Sequence, residues 1–262
     1  MDAFPAFFPL AGRTVAIAGE GEPADAKARL FDGSPATLRR IPPAEAHHPA
    51  AYTSATLAFV ALAGLAAEQA AAAARSAGVP VNVVDRPELC DFTTPAIVDR
   101  GAVVGAIGTG GGAPVLATLL RTELESLWPK NLGDRATLAR LLQPEIRAAL
   151  PDLGARRRYL RDLLRGDPVT PDEARRRLAD WRPASGAWVE IDAGGPVGRL
   201  RLDTIRTLAG ADVLVAEPDC DPAVLAFTRR DALRLPTLTR DAAQPRITAG
   251  ELVIHARATP TA

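Results

Sequence analysis

Thr14-Val-Ala-Ile-Ala18, then Gly19-Glu20-Gly21-Glu22-Pro23-Ala24, then Asp25 to Phe31 place an apolar run, a glycine turn and a helical stretch in immediate succession. Thr14 to Ala18 reads as a buried strand, because it is short, continuously apolar and bounded by glycine. Asp25 to Phe31 reads as the helix that follows. The turn between them has the form G-x-G-x-x-A. Small residues at those positions let backbone N–H groups approach a pyrophosphate at a helix N-terminus, where the helix dipole favours negative charge. Gly19, Gly21, Glu22, Pro23 and Ala24 are therefore candidate cofactor-binding residues. A plain tight turn between strand and helix has the same pattern, and both readings stand at this level.

Ala36 to Ile41 reads as a second strand, cut off by Pro42-Pro43. The acid that often binds a ribose hydroxyl about twenty residues beyond the first glycine is absent, and Arg39 and Arg40 stand there instead. Two arginines suit a 2′-phosphate, hence NADP, and equally suit a solvated edge. Leu57 to Leu62 gives a third strand and Leu65 to Ser76 an alanine-rich helix with Gly78 as its stop. Val81 to Val84 and Ala102 to Ile107 both read as buried parallel strands. The first runs into Asp85, the second into Gly108-Thr109-Gly110-Gly111-Gly112-Ala113-Pro114. The alternation of strand and helix predicts an α/β fold, a Rossmann-like doubly wound parallel sheet over residues 1–112. Since open α/β sheets bind ligands at their strand ends, an acid and an anion-cradling loop are expected to share one crevice.

Beyond Gly112 the pattern changes. Val115 to Trp128 is an amphipathic helix, and further helices are predicted at Arg135 to Leu142, Pro144 to Leu150, Ala155 to Leu164 and Pro171 to Trp181. Residues 113–182 form a helical region expected to dimerise, with a packed appendage of one monomer as the other reading. After the linker Arg182-Pro-Ala-Ser-Gly186, residues 187–262 are read as a small truncated α/β remnant. Its strands are Trp188 to Ile191 and Ala211 to Val215, its helix Leu202 to Leu208, and the stretch from Pro236 to Thr-Pro-Thr-Ala262 is expected to be irregular.

Composition narrows the function. With 31 basic and 31 acidic residues in 262, the formal net charge is zero, which leaves no electrostatic footprint for nucleic acid or an anionic membrane. Cys90 and Cys220 lie far apart and outside metal-ligand spacing, so neither a disulfide framework nor a zinc site is expected. The start, Met1-Asp-Ala-Phe-Pro-Ala-Phe-Phe-Pro-Leu10, lacks the pattern of a signal peptide, and Ala55 to Ala77 is too interrupted for a membrane span. A cytoplasmic protein is expected. His47-His48 suggests a metal site at first sight, but adjacent side chains are expected to diverge, and a surface loop is the simpler reading. Cys90 reads as a small apolar residue in a turn, with iron ligation as the sharper alternative. No metal ligands are assigned.

The assembled segments resemble the dehydrogenase–chelatase part of siroheme synthase, the precorrin-2 dehydrogenase and sirohydrochlorin ferrochelatase family. The resemblance lies in Phe4-Pro5 with Phe8-Pro9-Leu10, Gly19-x-Gly21-x-x-Ala24-x-x-Lys27, Asn82-Val-Val-Asp85, Phe92 with Pro95-Ala-Ile-Val-Asp99-Arg100, Gly110-Gly111 followed by Pro114-Val-Leu-Ala117, and Leu119 to Leu127. It covers about residues 1–180. It implies an enzyme that oxidises precorrin-2 to sirohydrochlorin with NAD⁺ and then inserts Fe²⁺, as substrate, to give siroheme. It further implies Asp85 as the catalytic group in both steps, a tetrapyrrole as the bound partner and a homodimer. Oxidation removes a proton as hydride leaves, and metallation removes pyrrole protons, so one carboxylate beside the ring can serve twice; capping of the following turn is the structural alternative for Asp85. Asn82 and Thr109, Gly110, Gly111 and Gly112 are the substrate-binding candidates, the loop offering N–H groups and a hydroxyl to a substrate with eight carboxylates.

Three departures fall on the nucleotide crevice: Glu20 where the family has a glycine, a shortened segment between the second and third strands, and Ala61-Leu62-Ala63 after the third. They keep two other readings open, a non-catalytic tetrapyrrole-binding scaffold and a chelatase without dehydrogenase activity. Residues 187 to about 235 resemble the start of the uroporphyrinogen methyltransferase domain, with the glycine turn altered to Asp192-Ala-Gly-Gly-Pro196 and Glu217 in place of an aspartate. Methyltransferase activity is not expected.

Overall fold

A computed structural model describes residues 3–258, so the readings of Met1-Asp2 and of Thr-Pro-Thr-Ala262 lie outside the described residues. The chain divides into two compact units between Gly133 and Asp134.

In the first unit, β1 (Thr14–Gly19), α1 (Gly21–Arg29), β2 (Thr37–Ile41), β3 (Ala55–Ala61), α2 (Gly64–Ser76) and β4 (Val81–Val83) alternate as predicted. The four strands form a parallel sheet in the order β2-β1-β3-β4. Both faces are covered, which is why the central strands β1 and β3 are almost continuously apolar, while the edge strand β2 carries Arg39 and Arg40. Val15 and Ile17 of β1 pack with Leu57 and Phe59 against Ala24 and Ala28 of α1. Ala16, Ala18, Ala58 and Val60 point the other way and meet the alanine stripe Ala67, Ala70, Ala71 and Ala74 of α2. That stripe has the i, i+3, i+4, i+7 spacing of one helix face. The chain leaves β1 to one side through α1 and returns to its other side at β3, so the topological switch of a doubly wound sheet falls between β1 and β3.

The expectation for Ala102 to Ile107 is corrected. This segment, β6 (Val103–Ile107), is neither parallel nor fully buried: it pairs antiparallel with β5 (Ala96–Arg100) in a separate two-stranded sheet. The sheet of the first unit therefore ends at β4. The cause is local, since Gly101 and Ala102 are the two residues between paired Arg100 and Val103, and Gly101 has φ +72°. A glycine at the first central position of a two-residue loop makes the tight turn that folds strands back on each other. The hairpin is held to α3 (Pro114–Leu127) by the Arg100 guanidinium, which donates to the carbonyls of Glu125 and Trp128 at 3.0 and 3.5 Å.

In the second unit, α4 (Leu132–Ala149), α5 (Leu153–Arg165) and α6 (Pro171–Asp180) enclose Leu142, Ile146, Tyr159, Leu163, Ala174 and Leu178. The two helices predicted around Pro144 are one. Proline inside a helix costs about 3 kcal/mol, but Leu142 and Ile146 on either side are essentially inaccessible, and their burial holds the helix through the lost hydrogen bond. Then come β7 (Ala187–Asp192), α7 (Leu202–Leu208), β8 (Val213–Ala216), α8 (Pro222–Leu225), β9 (Leu233–Leu235), α9 (Arg240–Thr248) and β10 (Leu252–Arg257). The expectation of an irregular end after Pro236 is corrected as well. β10 lies inside a parallel sheet of order β7-β10-β8-β9, and its Val253, Ile254 and Ala256 are fully buried.

Candidate active site

The parallel register sets Gly19 beside Ala61 and Val60 beside Val83, so the β1–α1 turn and the segment after β4 leave the same edge of the sheet. Gly19 has φ +117°, and a Cβ there would collide with the carbonyl oxygen of Ala61. Its lack of a side chain lets β1 and β3 close at the switch point. Gly21 has φ +71° with open space where a Cβ would stand. Glu20 occupies the N-cap of α1 without a side-chain hydrogen bond to the helix. The first-turn N–H groups of α1 are thus not capped by that carboxylate. Glu22 is turned aside into an ion pair with Arg29, Pro23 is exposed, and Ala24 is buried against the sheet. This turn fits a dinucleotide's pyrophosphate: it is small, open at Gly21 and ends on an uncapped helix. Glu20 is the one carboxylate at its mouth that no ion pair occupies among the described residues.

Arg39 and Arg40 are engaged elsewhere. Arg39 donates to the carbonyls of Ala51 and Thr53 at 3.2 and 2.8 Å, and Arg40 pairs with Asp25 of α1 at 2.7 Å. Arg39 braces the short segment between β2 and β3, and Arg40 ties β2 to α1.

The second part of the edge is the loop after β4. Asn82, 6% exposed, donates from Nδ2 to the carbonyl of Phe92 at 2.9 Å, while its Oδ1 is buried without a partner. The Cys90 thiol accepts from the Val83 N–H at 3.1 Å and lies 3.3 Å from the carbonyls of Val83 and Arg86. Asp91 accepts from the Val81 N–H at 3.0 Å and pairs with Arg75 at 2.9 Å. These bonds fold residues 84–92 back on the strand. Asp85 projects from this loop, exposed and at φ +57°, one of two non-glycine residues with positive φ among those described. Backbone held there costs on the order of 1–3 kcal/mol and recurs at functional sites.

The glycine loop stands apart from this edge. Because β6 belongs to the hairpin, Thr109 to Gly112 do not run off the parallel sheet, and among the described residues no hydrogen bond joins them to Asn82 or Asp85. The loop closes on itself, with the Gly112 N–H donating to the Thr109 carbonyl at 3.2 Å and Gly110 and Gly111 at φ +62° and +81°. It feeds α3, whose N-cap Ala113 offers no side-chain cap. It is therefore a second place with free N–H donors.

Among the described residues, no group of three His, Cys, Asp or Glu side chains is arranged to hold a metal ion. His47 and His48 do not diverge: their rings lie 3.8 Å apart, tilted at 43°, on an exposed turn. No helix of the described residues is long and apolar enough to cross a membrane.

Residues 6–96, which span the parallel sheet, match an NAD(P)-binding family model. The chain is 33% identical over 264 residues to the siroheme synthase of Ectopseudomonas mendocina (strain ymp), a match covering 90% of this chain and 57% of that one. With the siroheme synthase of Pseudomonas aeruginosa PAO1 it shares 34% over 267 residues, again 90% and 57% of the two chains. With that of Methylococcus capsulatus it shares 40% over 180 residues, 63% of this chain and 38% of that one. The matches thus span 57% of the length of the first two relatives and 38% of the third. Among solved structures, SirC, a precorrin-2 dehydrogenase, superposes with a TM-score of 0.54 at 17% identity, covering 68% of this chain and all of that one, which shows the shared fold. Over most of its length the chain is similar to part of siroheme synthase, and its residues 6–96 match an NAD(P)-binding family.

Proposed function

We propose that the chain is an NAD-dependent precorrin-2 dehydrogenase of siroheme biosynthesis that also inserts Fe²⁺ into sirohydrochlorin. The observation that carries this reading is the placing of Asp85, on strained backbone, along the same sheet edge as an uncapped glycine turn within an NAD(P)-binding domain. When bound, the nicotinamide supplies a hydride acceptor. The residues of the chain do the rest: the N–H groups of Gly21 and Glu22, in a turn shaped by Gly19, Pro23 and Ala24, hold the pyrophosphate, and Asp85 accepts the proton that the macrocycle loses as hydride leaves. In metallation the same carboxylate accepts pyrrole protons as Fe²⁺ enters. Asn82 fixes the loop that presents Asp85, and Thr109 to Gly112 at the start of α3 offer donors to substrate carboxylates. The relatives named siroheme synthase support the pathway and the dehydrogenase fold neighbour supports the reaction.

In this reading residues 1–112 bind nucleotide, 113–182 dimerise, 187–262 carry no methyl transfer, and the enzyme works in the cytoplasm as a homodimer. The dimer is supported by α3, where Val115, Leu119 and Leu127 are 73%, 57% and 74% exposed on an otherwise regular helix.

A chelatase without dehydrogenase activity is the second reading, favoured by the unpaired Glu20 carboxylate at the N-terminus of α1. Calorimetric titration with NAD⁺ and NADP⁺ separates them. The dehydrogenase requires saturable dinucleotide binding that Gly21→Asp abolishes; iron insertion without any dinucleotide binding would establish the chelatase alone.

A further inference from the structure

The basic residues of this chain are 29 arginines and two lysines, Lys27 and Lys130. Lys27 lies on α1, three residues beyond buried Ala24, and helix side chains lean toward their own N-terminus. Its ammonium is thereby directed toward the edge where β1, β3 and β4 end. Its Nζ sits 5.6 Å from the centroid of the Phe59 ring. Phe59 pairs in register with Asn82 across β3 and β4, and its ring stands edge-on to Phe92, whose carbonyl Asn82 holds. Lys27, Phe59 and Phe92 therefore form one layer under the loop that carries Asp85.

The ammonium has no hydrogen bond or ion pair among the described residues, although it is half-buried. Burial depresses its pKa, and the neighbouring Cys90 and Asp85 act to raise it. A partly desolvated ammonium with three idle donors is unfavourable on its own, and the aromatic face beneath it satisfies only one side. A compact point charge on a flexible stem also differs from the planar fork of the arginines used at nearly every other basic position.

We propose that Lys27 is an anion-binding residue of the candidate active site, donating to an anionic oxygen of the ligand held beside Asp85. That oxygen belongs either to a carboxylate of the tetrapyrrole or to a phosphate of the dinucleotide. The proposal rests on the dehydrogenase–chelatase reading for the choice of ligands, and it adds to it the group that sets where the ligand's charge lies.

The test uses the wild-type chain. Reductive methylation of amines is followed by mass spectrometry on the protein alone, with NAD⁺, and with metal-free sirohydrochlorin, while calorimetry records whether each ligand binds. The exposed Lys130 serves as the internal reference. The expected result is protection of Lys27 by one ligand with Lys130 unchanged. Protection by NAD⁺ identifies the phosphate, protection by sirohydrochlorin the carboxylate. Lys27→Met then weakens that same ligand by about ten- to a hundredfold, the scale of one charge-assisted hydrogen bond, and Lys27→Arg restores part of the loss. Equal labelling of Lys27 with and without ligands that demonstrably bind overturns the inference and leaves the function intact. Failure of the wild type to bind either ligand overturns both.

Discussion

Asp85 is the residue at which stability and the proposed chemistry pull apart. Its φ of +57° is tolerated by Asp better than by most side chains, yet glycine adopts it freely. Asp85→Gly is therefore expected to stabilise the first unit by about 0.5–1 kcal/mol in urea denaturation, and unchanged or lowered stability would show that the side chain holds the loop. Tyr52 makes a contrasting case, a polar group kept for structure. Its ring lies in the core between the sheet and α2, fully inaccessible, with the hydroxyl donating to the Ala46 carbonyl at 2.9 Å, and burial pushes its pKa up to about 12. In the unfolded chain the phenol ionises near pH 10. The unfolded state thus binds fewer protons above that pH, and stability falls as pH rises from about 10 to about 12, being fully present below it. Wild type should lose on the order of 2 kcal/mol across that window while Tyr52→Phe shows a flatter profile; parallel pH profiles would contradict this.

Among the elements, the β1–α1 turn separates two reasons for glycine. At Gly19 a methyl group meets the backbone oxygen of Ala61, which cannot move without breaking the β1–β3 pairing. At Gly21 only the backbone conformation is at issue. Gly19→Ala should cost about 2–4 kcal/mol and Gly21→Ala about 1 kcal/mol, measured by denaturant unfolding; equal costs would mean that the close approach is relieved cheaply. β1, β3 and α2 are legible in the sequence because each is a short apolar run or an alanine stripe with glycine close by. β6 is not legible in the same way, because the apolar content of Ala102 to Ile107 is the same in a buried parallel strand and a hairpin arm. The discriminating cue was the Gly101-Ala102 pair between two β-branched runs. β10 was missed for another reason: Leu252 to Arg257 is central only because β7 and β8 pair with both of its sides, a tertiary fact that no local pattern carries. In the site, Asp85 and the glycine turn were readable from strand-end position. The isolation of Lys27 above Phe59 was not, because it depends on α1 and β3 meeting across the sheet.

At the scale of the whole molecule, each unit has its own surface contacts. Unit two ties α5 to its sheet through Asp212, which accepts from Arg229 at 3.1 Å and pairs with Arg161 at 3.6 Å. Unit one leaves Val115, Leu116, Leu119 and Leu127 of α3 exposed along one helix. Apolar residues gathered in this way mark an interaction surface more often than a free one. Leu119→Glu is expected to convert a dimer to a monomer in analytical ultracentrifugation with little loss of secondary structure; a monomeric wild type would remove dimerisation from the account. The account as a whole stands on the oxidation of precorrin-2. Supplied with precorrin-2 and NAD⁺, the chain should produce NADH and sirohydrochlorin in equal amounts, and Asp85→Asn should slow both by about a hundredfold or more while binding NAD⁺ as the wild type does. No NADH from the wild type, or full turnover by Asp85→Asn, would contradict it.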